Sequence, residues 1–227
     1  MRRHRWVLFA ASFALVALVS NAIALPHIGI SGFTGYQSYS MGQINDAIDA
    51  VSNALSSPGD QANIDNLSGG FAFGGAIKAD FNTTWRAYLE YEYLKDSSGY
   101  GNTIGQFQIE PNANAVLVGG TYFFPSTNKM RLGLGAGVGY YTFGGSVNSS
   151  ESWNNTTTTG SHDLGGSTVG FHGRGELEVT LSPVWRFDAA LGYRSAQGAL
   201  ETDGADAAVD LDWSGLMTRV GFTYFAN

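Results

Sequence analysis

The chain has 227 residues, a formal net charge of −7 at neutral pH and no cysteine. Such an acidic chain is a poor partner for nucleic acid or for anionic lipid, and without cysteine it can form neither a disulfide framework nor a thiolate metal site. Its length suits one domain, and no Pro-rich or Gly/Ser-rich linker divides it.

Residues 1–24 carry Arg2, Arg3 and Arg5, then an apolar run from Trp6 to Val19, then Ala22-Ile23-Ala24. This three-part pattern predicts a secretory signal peptide cleaved after Ala24 and an exported domain over 25–227. Cleavage would remove three arginines and no acid, taking the net charge from −7 to about −10. No later segment is apolar for long enough to predict a transmembrane helix.

Beyond the leader, short segments alternate between apolar residues and charged residues or glycine. In 85–93, side chains two apart share one strand face, so Trp85, Ala87, Leu89, Tyr91 and Tyr93 lie opposite Arg86, Tyr88, Glu90 and Glu92. Eight such strands are predicted, at 28–36, 70–81, 84–94, 114–124, 130–143, 167–181, 184–198 and 211–225. Their connections alternate, with short turns at 82–83, 125–129 and 182–183 and longer spans between the other strands. That asymmetry fits an even-stranded membrane barrel with short periplasmic turns, long extracellular loops and both mature termini in the periplasm.

The register assigns the charges to one face. In 130–143, Leu132, Leu134, Ala136, Val138 and Tyr140 oppose Arg131, four alternate glycines and Tyr141. In 167–181, Phe171, Leu177, Val179 and Leu181 oppose His172, Arg174, Glu176, Glu178 and Thr180. In 184–198, Trp185, Phe187, Ala189, Leu191 and Tyr193 oppose Arg186, Asp188 and Arg194. In 70–81, Phe71, Phe73, Ile77 and Phe81 oppose Lys78 and Asp80, and in the last strand Leu216, Val220, Phe222 and Tyr224 oppose Met217, Arg219 and Phe225. An arginine or lysine facing lipid near the midplane costs roughly 2–4 kcal/mol, so the charged face is assigned to the barrel interior. The expected lumen network comprises Lys78, Arg86, Glu90, Glu92, Arg131, Arg174, Glu176, Glu178, Arg186, Asp188, Arg194 and Arg219. An eight-stranded cylinder has room only for side chains or one small ligand, so the lumen is expected to be occluded. A soluble barrel or sandwich with the faces reversed is the competing reading, since alternation does not itself say which face is outside. Aromatics at both ends of the apolar face, such as Trp85 with Tyr93 and Trp185 with Tyr193, fit the interfacial girdles of a membrane barrel.

In the first long connection, Ile44, Ala47, Ile48, Val51 and Leu55 follow helical spacing, with Ser40 placed to cap and Ser57-Pro58-Gly59 to terminate. A short helix over the barrel mouth is expected. The 144–166 span reads as a polar solvated loop in which Trp153 and His162 are candidate interaction residues. His162 with Ser161 and Glu151 or Asp163 offers hydrolase residue types, but a polar loop brings these together easily, and no catalytic residue is assigned. The acidic stretch 201–212 lacks an ordered calcium-loop pattern, the histidines are scattered, and no phosphate-loop or HExxH motif occurs. No metal and no cofactor are assigned.

The strand count, charged inner face and alternating connections resemble the small outer-membrane β-barrels that include the transmembrane domain of outer-membrane protein A and the opacity-like porin family. The chain ends Val220-Gly221-Phe222-Thr223-Tyr224-Phe225-Ala226-Asn227, with the aromatic alternation of that group followed by Ala-Asn. The resemblance implies a place in the bacterial outer membrane and insertion by the barrel-insertion machinery. The expected fold is an all-β, eight-stranded antiparallel transmembrane up-and-down barrel. The expected partners are outer-membrane lipid and an extracellular protein or surface ligand met by the long loops. The expected role is structural or surface-interacting. The alternatives are a narrow channel or carrier for small apolar solutes and a lipid-modifying enzyme dependent on His162.

Overall fold

The computed structural model describes residues 26–55, 64–101, 105–125, 127, 129–153, 156–202 and 209–226. The expected leader, the expected Ser57-Pro58-Gly59 helix stop and 203–208 of the acidic stretch lie outside them. The elements are β1 (His27–Ser38), α1 (Gly42–Leu55), β2 (Gly69–Asp80), β3 (Trp85–Lys95), β4 (Ser98–Gly101), β5 (Gly105–Phe123), β6 (Met130–Trp153), β7 (Thr156–Thr180), β8 (Trp185–Ser195), β9 (Gln197–Thr202), β10 (Val209–Asp212) and β11 (Gly215–Phe225).

Eight strands close antiparallel in the order β1-β2-β3-β5-β6-β7-β8-β11, and β11 returns to β1 from Gly29↔Phe225 to Gln37↔Met217. Closure leaves the barrel without a free edge, as a membrane-spanning sheet requires. The turns at one end are held locally. Asn82 Oδ1 accepts from the Thr84 and Trp85 amides at 2.8 and 2.7 Å, and Ser182 Oγ accepts from the Trp185 amide at 3.0 Å. Both are side-chain turns that start the next strand at a tryptophan.

The outer face is apolar. Ile30, Ile77, Leu89, Val118, Leu134, Leu191 and Val220 are all exposed. Trp85, Trp185 and Tyr224 ring the turn end, while Tyr36, Phe71, Tyr140 and Tyr193 ring the other. From Trp85 to Tyr93 is eight residues, about 26 Å along a strand, or about 20 Å along the barrel axis at the usual strand tilt, which fits within the roughly 25 Å apolar band of a membrane barrel. No helix is long and apolar enough to cross a membrane among the described residues. The strands cross instead.

Three local expectations are corrected. First, 144–166 is not a plain loop: β6 runs on to Trp153 and β7 begins at Thr156, with unbroken pairing from Met130↔Val179 to Trp153↔Thr156. β5 extends with them from Gly105, and β4 pairs with it. Ser, Asn and Gln side chains face outward on an extension that leaves the lipid while Ile109, Phe107 and Val147 pack inward, so apolar alternation fades while pairing continues. Second, 211–225 is not one strand. Asp212 Oδ1 accepts from the Ser214 amide at 2.8 Å, and the Trp213 amide donates to the Ala196 carbonyl at 2.9 Å, a turn that sends Trp213 inward and separates β10 from β11. The same turn ends β8 at Ser195, short of the expected 198. Third, the helix starts at Gly42, and its first intrahelical acceptor is the Met41 carbonyl, which receives the Asn45 amide at 2.8 Å, so Ser40 lies one residue too early to cap it.

Candidate functional site: the filled lumen and its apolar stopper

Inward side chains form tiers along the barrel. At the turn end, Asp80 and Glu178 are shared by three arginines. Arg86 Nε donates to Asp80 Oδ1 at 2.6 Å and its Nη2 to Glu178 Oε2 at 2.6 Å. Arg131 Nη2 reaches Asp80 Oδ2 at 3.0 Å and Glu178 Oε1 at 2.6 Å, and Arg186 Nη1 reaches the same two oxygens at 2.9 and 3.0 Å. Phe123 and Phe225 flank this knot, with the Arg131 guanidinium 4.2 Å from one ring and that of Arg186 4.1 Å from the other. Aromatic faces attract cations, so the rings brace the guanidiniums that the carboxylates neutralise.

Above it, Lys78 Nζ lies 2.9 Å from Asp188 and 2.8 Å from Thr223 Oγ1, whose hydroxyl also donates to Asp188. At mid-barrel Glu90 is clasped twice, by Arg174 at 2.9 and 2.7 Å and by Arg219 at 2.8 Å through both terminal nitrogens. Arg174 also donates through Nε to Glu176 and stacks 4.1 Å from the centre of the Tyr88 ring. Tyr88 Oη meets His172 Nε2 at 2.7 Å. These bulky side chains fit because the wall opposite is glycine: a Cβ on Gly119 would stand 2.3 Å from Tyr88 Oη, and one on Gly137 2.7 Å from His172 Cε1. The last ionic tier joins Arg194 to Glu92 directly and through Gln37, which donates to Glu92 and accepts from Arg194, each at 2.5 Å.

The loop end of the lumen is apolar. Trp213 is fully buried, with its ring centre 4.5 Å from that of Tyr39 and 6.2 Å from that of Phe143. Met41, Ile44 and Ile48 of the helical segment join Ile64, Leu67, Leu94 and Ile109 in the same cluster. The helix expected from its spacing thus seals the cylinder, its apolar face down and Asp46 and Asp49 exposed. Beside the stopper, burial raises the Tyr39 phenol above its ordinary value, with Asp96 adding to the rise, and burial likewise raises Asp96.

Little space is left. An enclosed cavity of about 20 Å³ is lined by Ser31, Lys78, Glu90, Glu176, Asp188 and Arg219, room for a single water. A larger, open depression of about 590 Å³ is lined by the wall residues Leu177, Leu191 and Val220 and also by Glu176 and Arg219 of the ionic network. Among the described residues, no three His, Asp or Glu side chains are placed to hold a metal ion.

All twelve residues of the expected lumen network face inward, and each takes part in an ion pair. The sequence reading placed Asp80 on the inner face but left it out of that network, where it is a central acceptor for three arginines. It also missed the bridging Gln37 and the Trp213 stopper; an uncharged Gln and a loop Trp give no signal that periodicity can detect. The backbones of Trp153 and His162 belong to the extended β6–β7 hairpin, far along the chain from the ionic tiers, and their side chains lie outside the described residues.

No protein-family model matches the sequence, and no curated protein matches it. Among solved structures, a major outer membrane protein from Thermus thermophilus aligns with 88% of this chain and 99% of its own, at 12% identity and a TM-score of 0.51. The outer membrane protein OprG from Pseudomonas aeruginosa aligns with 90% of this chain and 97% of its own, at 15% identity and a TM-score of 0.47. Neisserial surface protein A aligns with 87% and 96%, at 11% identity and a TM-score of 0.43. At these identities the likeness concerns the fold alone. The closed strand pairing, the apolar belt and the ionic lumen, with the fold likeness to the Thermus thermophilus protein, establish a closed eight-stranded antiparallel barrel of the kind found in outer membranes.

Proposed function

We propose that the protein is a structural or surface-interacting barrel of the bacterial outer membrane, which meets its partners through its extramembrane hairpins and not through its lumen. The observation that carries this reading is the filling of the interior. Interlocked ion pairs occupy the interior, and the fully buried Trp213 closes the loop end under α1. A solute path would have to break several buried charge pairs, each costing about 3–5 kcal/mol when one partner is lost. Both mature termini are assigned to the periplasm with the short turns, which leaves the hairpin extensions and α1 on the cell surface. Insertion by the barrel-insertion machinery accords with the aromatic end Phe222, Tyr224 and Phe225.

Planar-bilayer recording tests the reading. The unmodified chain is expected to be electrically silent, and Arg86→Ala or Arg174→Ala is expected to admit current only if the side chain it removes is itself part of the barrier. Steady conductance by the unmodified chain would favour a channel and overturn an occluded lumen.

A further inference from the structure

The β6–β7 hairpin rises beyond the end of β8 and leaves one edge of the sheet without a partner among the described residues. On one flank β4 runs along β5, from Ser98↔Ile109 to Gly101↔Gln106. On the other, β8 reaches β7 only as far as Phe171 and β9 only as far as Leu164. From Thr156 to Asp163, β7 pairs with β6 alone among the described residues, from Trp153↔Thr156 to Ser146↔Asp163. Alternate residues of an antiparallel strand turn amide and carbonyl away from the paired neighbour, so this stretch leaves about four sets of backbone donors and acceptors open. Sheet edges are ordinarily blunted by lysine, proline or a bulge. Residues 156–163 contain no lysine and no proline, pair with β6 without a bulge, and begin with Thr156 to Thr159, β-branched residues that favour an extended chain.

The surroundings set the charge of what this edge can take. Six of the nineteen acids, Asp80, Glu90, Glu92, Glu176, Glu178 and Asp188, face the lumen and are paired with cations there. The other thirteen belong to the strand extensions at the loop end or to the segments that join strands there. Lys95 is the only lysine or arginine in those segments, and it lies 3.4 Å from Glu110. A second copy of the chain is opposed, because docking would set the same excess of carboxylates against itself. A segment rich in lysine or arginine is drawn in, and an extended backbone completes the open edge.

We propose that the β7 edge from Thr156 to Asp163 takes an extended, lysine- or arginine-rich segment of a partner protein as an added strand. This names the class of partner for the surface-interacting role above and rests on that reading. The partner's backbone supplies the hydrogen bonds, and the acidic loop end selects the sign of its side chains.

The test uses the full folded chain in detergent and the synthetic peptide (Lys-Thr)4, with affinity read by fluorescence anisotropy and strand addition by amide hydrogen exchange. Binding is expected, with slowed exchange in 156–163. The same peptide N-methylated at every residue keeps its charge but has no backbone amide to donate, and it is expected to bind at least about tenfold more weakly. Uncharged (Gln-Thr)4 is expected to lose at least as much. Thr158→Pro and Thr159→Pro alter neighbouring amides that point to opposite sides of β7. The one whose amide points away from β6 is expected to keep the heat-dependent gel mobility and lose the peptide. Equal affinity for the methylated peptide would reduce the contact to charge attraction and overturn the proposal. Peptide binding retained by both proline variants, equal affinity for (Gln-Thr)4, or protection confined to other segments would overturn it too. The peptide is also applied to intact cells displaying the chain. Binding by the purified chain but not by cells would indict the surface placement, whereas no binding by a purified chain that keeps its heat shift would indict the edge alone.

Discussion

Replacing Arg174 with methionine is the sharpest probe of the lumen. Arg174 donates to Glu90 through two nitrogens at 2.9 and 2.7 Å and to Glu176 through the third, and all three groups are buried. Without it, Glu90 keeps both bonds from Arg219 at 2.8 Å, but Glu176 loses its hydrogen-bonded cation. Leaving a buried carboxylate unpaired costs about 3–5 kcal/mol, so Arg174→Met should destabilise the folded barrel by about that amount. Removing the stranded charge as well, in Arg174→Met/Glu176→Leu, should recover most of the loss, because a buried ion pair replaced by apolar groups of similar size is often close to neutral. The exposed pair Lys95–Glu110 is the control, and Lys95→Ala should cost less than about 1 kcal/mol. The assay is reversible guanidinium unfolding in lipid vesicles followed by tryptophan fluorescence, with the denaturant slope checked for each variant. A single substitution costing under about 1 kcal/mol, or a double variant no better than the single, would refute the claim that interlocked pairing holds the interior.

Other substitutions test the wall, the packing and the stopper. Leu134→Arg places a charge on the lipid face and should cost about 2–4 kcal/mol in vesicle unfolding, whereas the same change at the exposed turn residue Lys129 should cost almost nothing. Gly119→Val should destabilise strongly and displace Tyr88 from His172, visible as a changed imidazole resonance, since even a Cβ there would lie 2.3 Å from the phenol oxygen. Trp213→Ala removes the fully buried stopper and should cost about 3–5 kcal/mol in the same unfolding assay, while bilayers containing the folded variant stay silent because the ionic tiers remain. Asp96, outside the strands, has its carboxyl raised by burial, so the folded state holds its proton more tightly than the unfolded one. Stability should therefore fall as pH rises from the unfolded value through the folded one, and Asp96→Asn should stabilise the protein at neutral pH with a gain that vanishes in acid.

Much of the barrel is legible in the sequence because membrane strands impose one rule twice, apolar toward lipid and polar toward the lumen. Arg86, Glu90 and Glu92 alternate with Trp85, Leu89 and Tyr91, and no other placement of those charges survives insertion. The pairing among charges is not legible, since Glu90 meets Arg174 and Arg219 only after closure brings β3, β7 and β11 across the lumen. Asp80 is legible as an inward residue, but its sharing by three guanidiniums emerges only when β3, β6 and β8 bring Arg86, Arg131 and Arg186 to it. The hairpin extension escapes detection because strands bathed in water on one face and folded over a small core on the other need not alternate strongly: Val147 and Ile109 are too sparse a signal. The stopper draws Tyr39, Leu67 and Trp213 from separate connections, and only α1, with its regular helical spacing, is visible in advance.

The most direct test of the central claim, that the apolar face is outside in lipid and the ionic face enclosed, is gel mobility of the full chain with and without boiling, after inner and outer membranes have been separated. Recovery with the outer membrane and a faster-migrating unboiled form is the expected result. Recovery as a soluble periplasmic protein without a heat-dependent shift would contradict it and turn the sheet inside out.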